Sequence, residues 1–134
     1  MISTLRPLGY TKLSGLLSRS IGHRWHHQRS NWPIEEMRQI AVAVDGRTLK
    51  KDLWVCVSRA VFAAAQEAGY TKTIEASGAT IVRDTCPVLG PTLYDKGYKT
   101  VATNSGKLAH YMPGLWGVQT SLLQFEDCIA IALQ

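Results

Sequence analysis

The chain has 134 residues, 46% of them hydrophobic and 19% charged, with four Trp and five Tyr. That supplies apolar surface for one folded domain, leaves too little chain for two of ordinary size, and excludes a wholly disordered protein. No apolar run approaches the ~20 residues that span a bilayer. Three widely spaced cysteines (Cys56, Cys86, Cys128) without a CxxC pair argue against a zinc knuckle or a disulfide framework and for a reducing compartment.

The formal charge of +5 belongs to one segment. Arg6, Lys12, Arg19, Arg24 and Arg29 all precede the first acid, Glu35, and from there on ten basic residues balance ten acidic ones. A basic head of this kind does not make a nucleic-acid-binding face of the domain, so nucleic acid is not the expected partner. Residues 1–31, rich in Ser, Leu and Arg and free of acids, have the composition of an organelle transit peptide. A basic arm, a poorly ordered leader and the remnant of a longer chain are the competing readings, and the tail or remnant ranks above the transit peptide. The cytoplasm is the expected compartment, with the mitochondrion as the alternative. His23, His26 and His27 form an HxxHH cluster. No acid or Cys lies nearby, so a solvated basic segment is preferred to a metal site.

From residue 32 the pattern is regular. Pro33 suits a first helical turn, Glu35 and Glu36 its positive end, and Met37, Ile40, Ala41 and Val44 make one apolar stripe, stopped by Asp45-Gly46. Leu53 to Val57 is a continuous apolar run, expected as a strand buried on both faces. Ser58 caps a helix from Arg59 to Ala68 that Gly69 closes. A shorter helix follows from Thr71 to Ser77, then a strand from Ala79 to Val82 and a Pro- and Gly-rich loop from Asp84. Thr100–Thr103 is a third strand. Asn104-Ser105 caps a helix expected to run to Tyr111 and to break at Pro113-Gly114. Val118–Leu122 is a fourth strand, and Phe125–Leu133 a last helix with Glu126 and Asp127 in its first turn. This alternation predicts an α/β fold: a small, mainly parallel sheet flanked by helices in a Rossmann-like three-layer domain over 32–134, behind a poorly ordered basic segment over 1–31.

Ligands of parallel sheets bind outside the carboxyl ends of the strands. Three polar segments should meet there: Ser58-Arg59, Asp84-Thr85-Cys86-Pro87, and Thr103-Asn104-Ser105-Gly106-Lys107. The last would offer backbone N–H groups, a hydroxyl and a cation to an anion. It is not a P-loop, because Val101 and Leu108 stand where that motif needs Gly and Ser or Thr; an ordinary N-cap with an exposed Lys is the competing reading. Arg59 suits a bidentate grip on carboxylate or phosphate. Cys86 is followed by Pro87, a neighbour seen beside iron–sulfur ligands, whereas Cys56 and Cys128 read as core. His110, the only His after the head, reads as structural, and no Ser/His/Asp arrangement is legible.

At these segments the chain resembles the aconitase X family, in the C-terminal part of its large subunit. The matching stretches are Leu53-Trp54-Val55 through Ser58-Arg59, Ile81 to Val88 with Asp84-Thr85-Cys86, Gly97 to Gly114 with Thr103-Asn104-Ser105-Gly106-Lys107 and His110-Tyr111, and Glu126-Asp127-Cys128. The resemblance implies a hydro-lyase whose members dehydrate phosphomevalonate or cis-3-hydroxy-L-proline, with an iron or iron–sulfur centre acting as Lewis acid on the departing hydroxyl. It implies a small swivelling domain or subunit as partner. It also implies Cys86 as a metal ligand, Arg59 as the grip on the substrate's acid group, and Asn104, Ser105 and Lys107 lining the same cleft; Ser58 is expected beside them from its place next to Arg59 at the strand end. The base that removes the proton is not assigned. Leu122-Leu123-Gln124 stands where the family reads Phe-Gly-Ser, so a tight turn is expected to be lost there. On this resemblance, most of the large subunit, with the remaining metal ligands, is expected to lie outside these 134 residues.

The expected function is therefore a partial dehydratase domain that binds a small anionic hydroxy-acid or phosphorylated substrate and is inactive without the missing large-subunit portion and the small subunit. The alternative is a non-catalytic Rossmann-like anion-binding module or relic, and a weaker one makes the head a nucleic-acid arm. The geometric expectation is that Arg59, Cys86 and Lys107 converge on one cleft, with neither cation paired to an internal carboxylate.

Overall fold

A computed structural model of the protein describes the backbone of residues 13–18 and 32–33 and all atoms of residues 34–85 and 97–134. Five strands form one parallel sheet in the order β3-β2-β1-β4-β5: β1 Leu13–Ser18, β2 Leu53–Val57, β3 Thr80–Arg83, β4 Thr100–Thr103 and β5 Gln119–Leu122. The helices are α1 Trp32–Val44, α2 Arg59–Glu67, α3 Tyr70–Ala76, α4 Gly106–Trp116 and α5 Phe125–Leu133. The parallel α/β sandwich is the expected one.

The strand that the sequence reading does not contain is the middle one. β1 lies in the basic head and pairs with β2 (Gly15 with Leu53, Ser18 with Cys56) and with β4 (Leu13 with Thr100, Leu16 with Thr103). Its sequence, LSGLLS, carries no β-branched or aromatic residue and has a glycine inside it, so propensity gives almost no strand signal. Position decides instead. With β1 between β2 and β4, the sheet acquires a doubly wound order that reverses direction at the β1/β4 boundary.

The alternation of side chains along β2 builds the two layers. Leu53 and Val55 face a core made with Met37, Ile40, Ala41 and Val44 of α1, Ala65 of α2, Ile74 of α3, and Cys128, Ile129 and Ala132 of α5. The α1 stripe is thus the buried face predicted from its spacing. Trp54 faces the other way, into a second core with Tyr98, Val101, Leu108, Met112 and Val118. Four helices cover one face of the sheet, and α4 packs on the other.

Local signals set the element ends. Ser58 has the extended backbone of an N-cap and accepts from the Val61 N–H at 3.3 Å, and Gly69 after α2 has φ +82. The first turn of α1 carries Glu35, which takes the Arg38 Nε at 2.8 Å and is also reached by Gln39. Those two side-chain hydrogen bonds, Arg38 first, hold its carboxyl down to about 2.

One expectation is corrected by the helix after β4. Pro113-Gly114 does not break α4, which continues to Trp116 and ends where Gly117 has φ +61 and donates to the Pro113 carbonyl at 3.1 Å. A proline this late removes one i→i−4 bond, to Ala109, while buried Met112 and half-buried Trp116 on either side keep the last turn packed. His110, read as structural, is exposed on α4 and lies edge-on to the Tyr111 ring at 4.9 Å. The connection after β5 stays closely held without the Gly-Ser turn, since the Leu123 N–H donates to the Thr103 carbonyl at 2.8 Å and the Leu123 side chain packs on the α1/α5 core.

Candidate anion site at the carboxyl edge

Because all five strands are parallel, their carboxyl ends share one edge. There the structure places Ser58-Arg59 after β2, Asp84-Thr85 after β3, and Asn104-Ser105-Gly106-Lys107 after β4. Cys86 lies outside the described residues, as do His23, His26 and His27. The β2 and β4 turns flank the end of β1, two strand spacings apart, or roughly 9.6 Å. The α2 and α4 helices that follow them lie on opposite faces of the sheet.

The β4 turn is the better organised of the two. Thr103 is fully buried, and its Oγ1 accepts from the Ser105 N–H at 3.1 Å. Ser105, itself buried, caps α4: its Oγ accepts from the Leu108 N–H at 3.4 Å and its carbonyl from Ala109 at 3.0 Å. The Gly106 and Lys107 N–H groups have no acceptor among the described residues, and Lys107 is exposed with no carboxylate partner among them. Beside them the Asn104 Oδ1 is buried and finds no donor. An unmatched buried acceptor costs about 1–3 kcal/mol, and here it borders an N-terminal helix end that attracts anions. The turn therefore presents N–H groups and an ammonium that suit an anion, beside a buried amide oxygen left unpaired.

The β2 turn differs from expectation. Arg59 is not left without a carboxylate: its Nε lies 3.1 Å from Asp84 Oδ2, and its main-chain N–H donates to Asp84 Oδ1 at 2.9 Å. Asp84 is held in turn by its own N–H on the Val57 carbonyl at 3.0 Å, with a left-handed φ of +51. A carboxylate directly after β3 reaches the open end of the neighbouring α2 because strands β2 and β3 are paired, Val57 with Arg83. The sequence signal was an acid at a strand end beside a helix start one strand over; the pairing register was needed to read it. Ser58 Oγ accepts for the α2 cap and retains its hydroxyl proton for a ligand.

No cluster of three or more His, Cys, Asp or Glu side chains exists among the described residues. Cys128 is fully buried, and burial, with Asp127 as a second cause, pushes its thiol up to about 12. It is inert as a thiolate ligand at neutral pH. The described residues therefore do not fit an iron centre by themselves. A shallow cavity of about 340 Å³ lies at the opposite, amino edge, between the carboxyl ends of α1 and α3 and lined in part by Asp45, Arg47 and Lys72; it takes no part in the site. No helix among the described residues is long and apolar enough to cross a membrane.

A doubly wound parallel sheet with polar turns on both sides of its reversal point is an α/β domain whose candidate site lies at that point. The chain belongs to the aconitase X family: residues 32–134 match the model described as the aconitase X third domain. It is 50% identical over 80 residues to the phosphomevalonate dehydratase large subunit of Methanocaldococcus jannaschii, covering 60% of this chain and 20% of that one. It is 38% identical over 106 residues to the cis-3-hydroxy-L-proline dehydratase of Pseudomonas aeruginosa, covering 77% of this chain and 18% of that one. The crystal structure of holo-form aconitase X from Thermococcus kodakaraensis superposes with a TM-score of 0.65 at 37% identity, over 74% of this chain and 25% of that one. The chain thus spans about a fifth of the length of the curated relatives it matches.

Proposed function

We propose that the chain is the substrate-gripping domain of an aconitase-X-type dehydratase, holding a small hydroxy acid or phosphorylated hydroxy acid at the carboxyl edge of its sheet. The observation that carries this reading is the β4 turn, where the orphaned Asn104 Oδ1 sits beside the open N–H groups of Gly106 and Lys107. In this reading the Gly106 and Lys107 N–H groups and the Lys107 ammonium take an anionic group. Asn104 accepts from the hydroxyl and so fixes which carbon presents it. Arg59 and Ser58 take a second anionic end across β1, and Ser105 holds the turn in shape. Dehydration gains from such a grip because fixed orientation lowers the entropy lost on reaching the transition state.

The iron or iron–sulfur centre, the proton-removing base and the small swivelling subunit belong to the remainder of the assembly. Cys86 is this chain's candidate contribution to the metal. The substrate classes follow the names of the relatives, phosphomevalonate and cis-3-hydroxy-L-proline dehydratases.

Titration of the chain with inorganic phosphate, followed by backbone amide NMR, tests the grip. Saturable shifts are expected at Gly106 and Lys107. Lys107→Ala should weaken binding about fivefold, the effect of one partly screened charge-assisted contact near 1 kcal/mol. Shifts confined to other parts of the chain, or an unchanged affinity in Lys107→Ala, would refute the reading and leave Ser105 as an ordinary helix cap.

A further inference from the structure

The Arg59 side chain is 85% exposed and has Asp84 as its ion-pair partner, while the same carboxylate takes the Arg59 main-chain N–H. Asp84 Oδ1 takes its main-chain N–H at 2.9 Å and Asp84 Oδ2 lies 3.1 Å from its Nε. A surface arginine ordinarily samples many rotamers, and a carboxylate beside Nε biases it toward those that leave the end of the fork open. The guanidinium makes no side-chain hydrogen bond among the described residues, and its shortest approach to Asp84 is through Nε. The backbone that carries the carboxylate is fixed: the Asp84 N–H is bonded to the Val57 carbonyl, and the Thr85 Oγ1 donates to the Arg83 carbonyl at 3.0 Å, closing the turn. The neighbouring cation, Arg83, is turned away, its guanidinium 4.6 Å from the centre of the Phe62 ring on α2.

We infer that Asp84 is a positioning residue that aims the two Nη groups of Arg59 outward as a preformed receptor for a planar or tetrahedral oxyanion. The inference rests on the reading of Arg59 as an anion grip and adds the residue that gives that grip its geometry. Two parallel N–H groups match the two oxygens of a carboxylate or phosphate and have no counterpart on a spherical ion. Asp84 also lowers the local positive potential, which disfavours every anion alike, so affinity alone does not reveal its role. The ratio of affinities for two monoanions of different shape does.

The test uses the whole chain at pH 7, titrated with formate and with chloride, read from the Arg59 Nε–Hε and the 58–60 amide resonances. The variants are Asp84→Asn and Arg59→Ala. Asn keeps an oxygen for the Arg59 N–H and tolerates the left-handed backbone, so the α2 cap survives while the anionic hold on Nε is lost. The wild type is expected to prefer formate by about 3- to 10-fold, the scale of one additional charge-assisted hydrogen bond at an exposed site. Asp84→Asn should bring that ratio close to 1, even if both anions bind more tightly, and Arg59→Ala should abolish formate shifts at 58–60. If Arg59→Ala leaves formate binding intact, or the wild type shows no saturable shift, the underlying reading of Arg59 fails. If Arg59→Ala removes binding and the wild type has no preference, or Asp84→Asn preserves it, Asp84 is only a helix cap and the positioning role is overturned.

Discussion

Leu53→Asp is expected to leave the protein unfolded at 25 °C. Leu53 is fully buried at the start of β2 and faces the core built by α1, α2, α3 and α5. Removing its side chain alone costs about 2–5 kcal/mol. Placing a carboxylate there adds a desolvation cost that no cation in that cluster offsets, and the sum meets or exceeds the ~5–15 kcal/mol by which domains are stable. Circular dichroism and amide dispersion report the result directly. A native spectrum with an unchanged urea midpoint would mean that β2 does not occupy this layer. Val42→Asp is the control: Val42 lies on the same α1 helix that lines this core but is 67% exposed, so its substitution should change stability little.

The second large effect is on the opposite face. Met112 is fully buried and fastens α4 against Trp54, Val101 and Val118. Met112→Ala should lower the unfolding free energy by about 2–5 kcal/mol, measured by urea denaturation. α4 also displays Gly106 and Lys107, so a loosened helix presents its N–H groups less rigidly. Phosphate affinity should therefore fall in Met112→Ala even where the protein remains folded. A stability loss with unchanged phosphate affinity would show that the β4 turn is held by Thr103 and Ser105 alone.

The parts of the fold readable from sequence are those fixed by nearest neighbours. The α1 stripe, the Ser58 and Ser105 caps and the apolar run of β2 follow from side-chain spacing and local hydrogen bonding. What escaped depends on pairing across the sheet. β1 has a sequence that composition assigns to a basic tail, and only its place between β2 and β4 makes it a strand. α4 outlasts its proline because Met112 and Trp116 pack on the sheet, a tertiary gain larger than one lost hydrogen bond. At the site, the segments after β2 and β4 were legible as strand ends rich in polar groups. The Arg59–Asp84 pair was not, since it joins residues 25 apart through the β2–β3 register. The unmatched Asn104 Oδ1 was equally invisible, because burial of one atom is a property of the assembled edge.

The substrate grip proposed for this chain is one part of a dehydratase about five times its length. It is tested most directly by an anaerobic dehydration assay with added iron, using phosphomevalonate and cis-3-hydroxy-L-proline in turn. The chain is assayed alone and then together with the missing large-subunit portion and the small subunit of a relative. The expected result is no turnover by the chain alone, and turnover of one of the two substrates by the complete set that is lost in Arg59→Ala and reduced in Lys107→Ala. Turnover by the isolated chain, or none from the complete set, would contradict it.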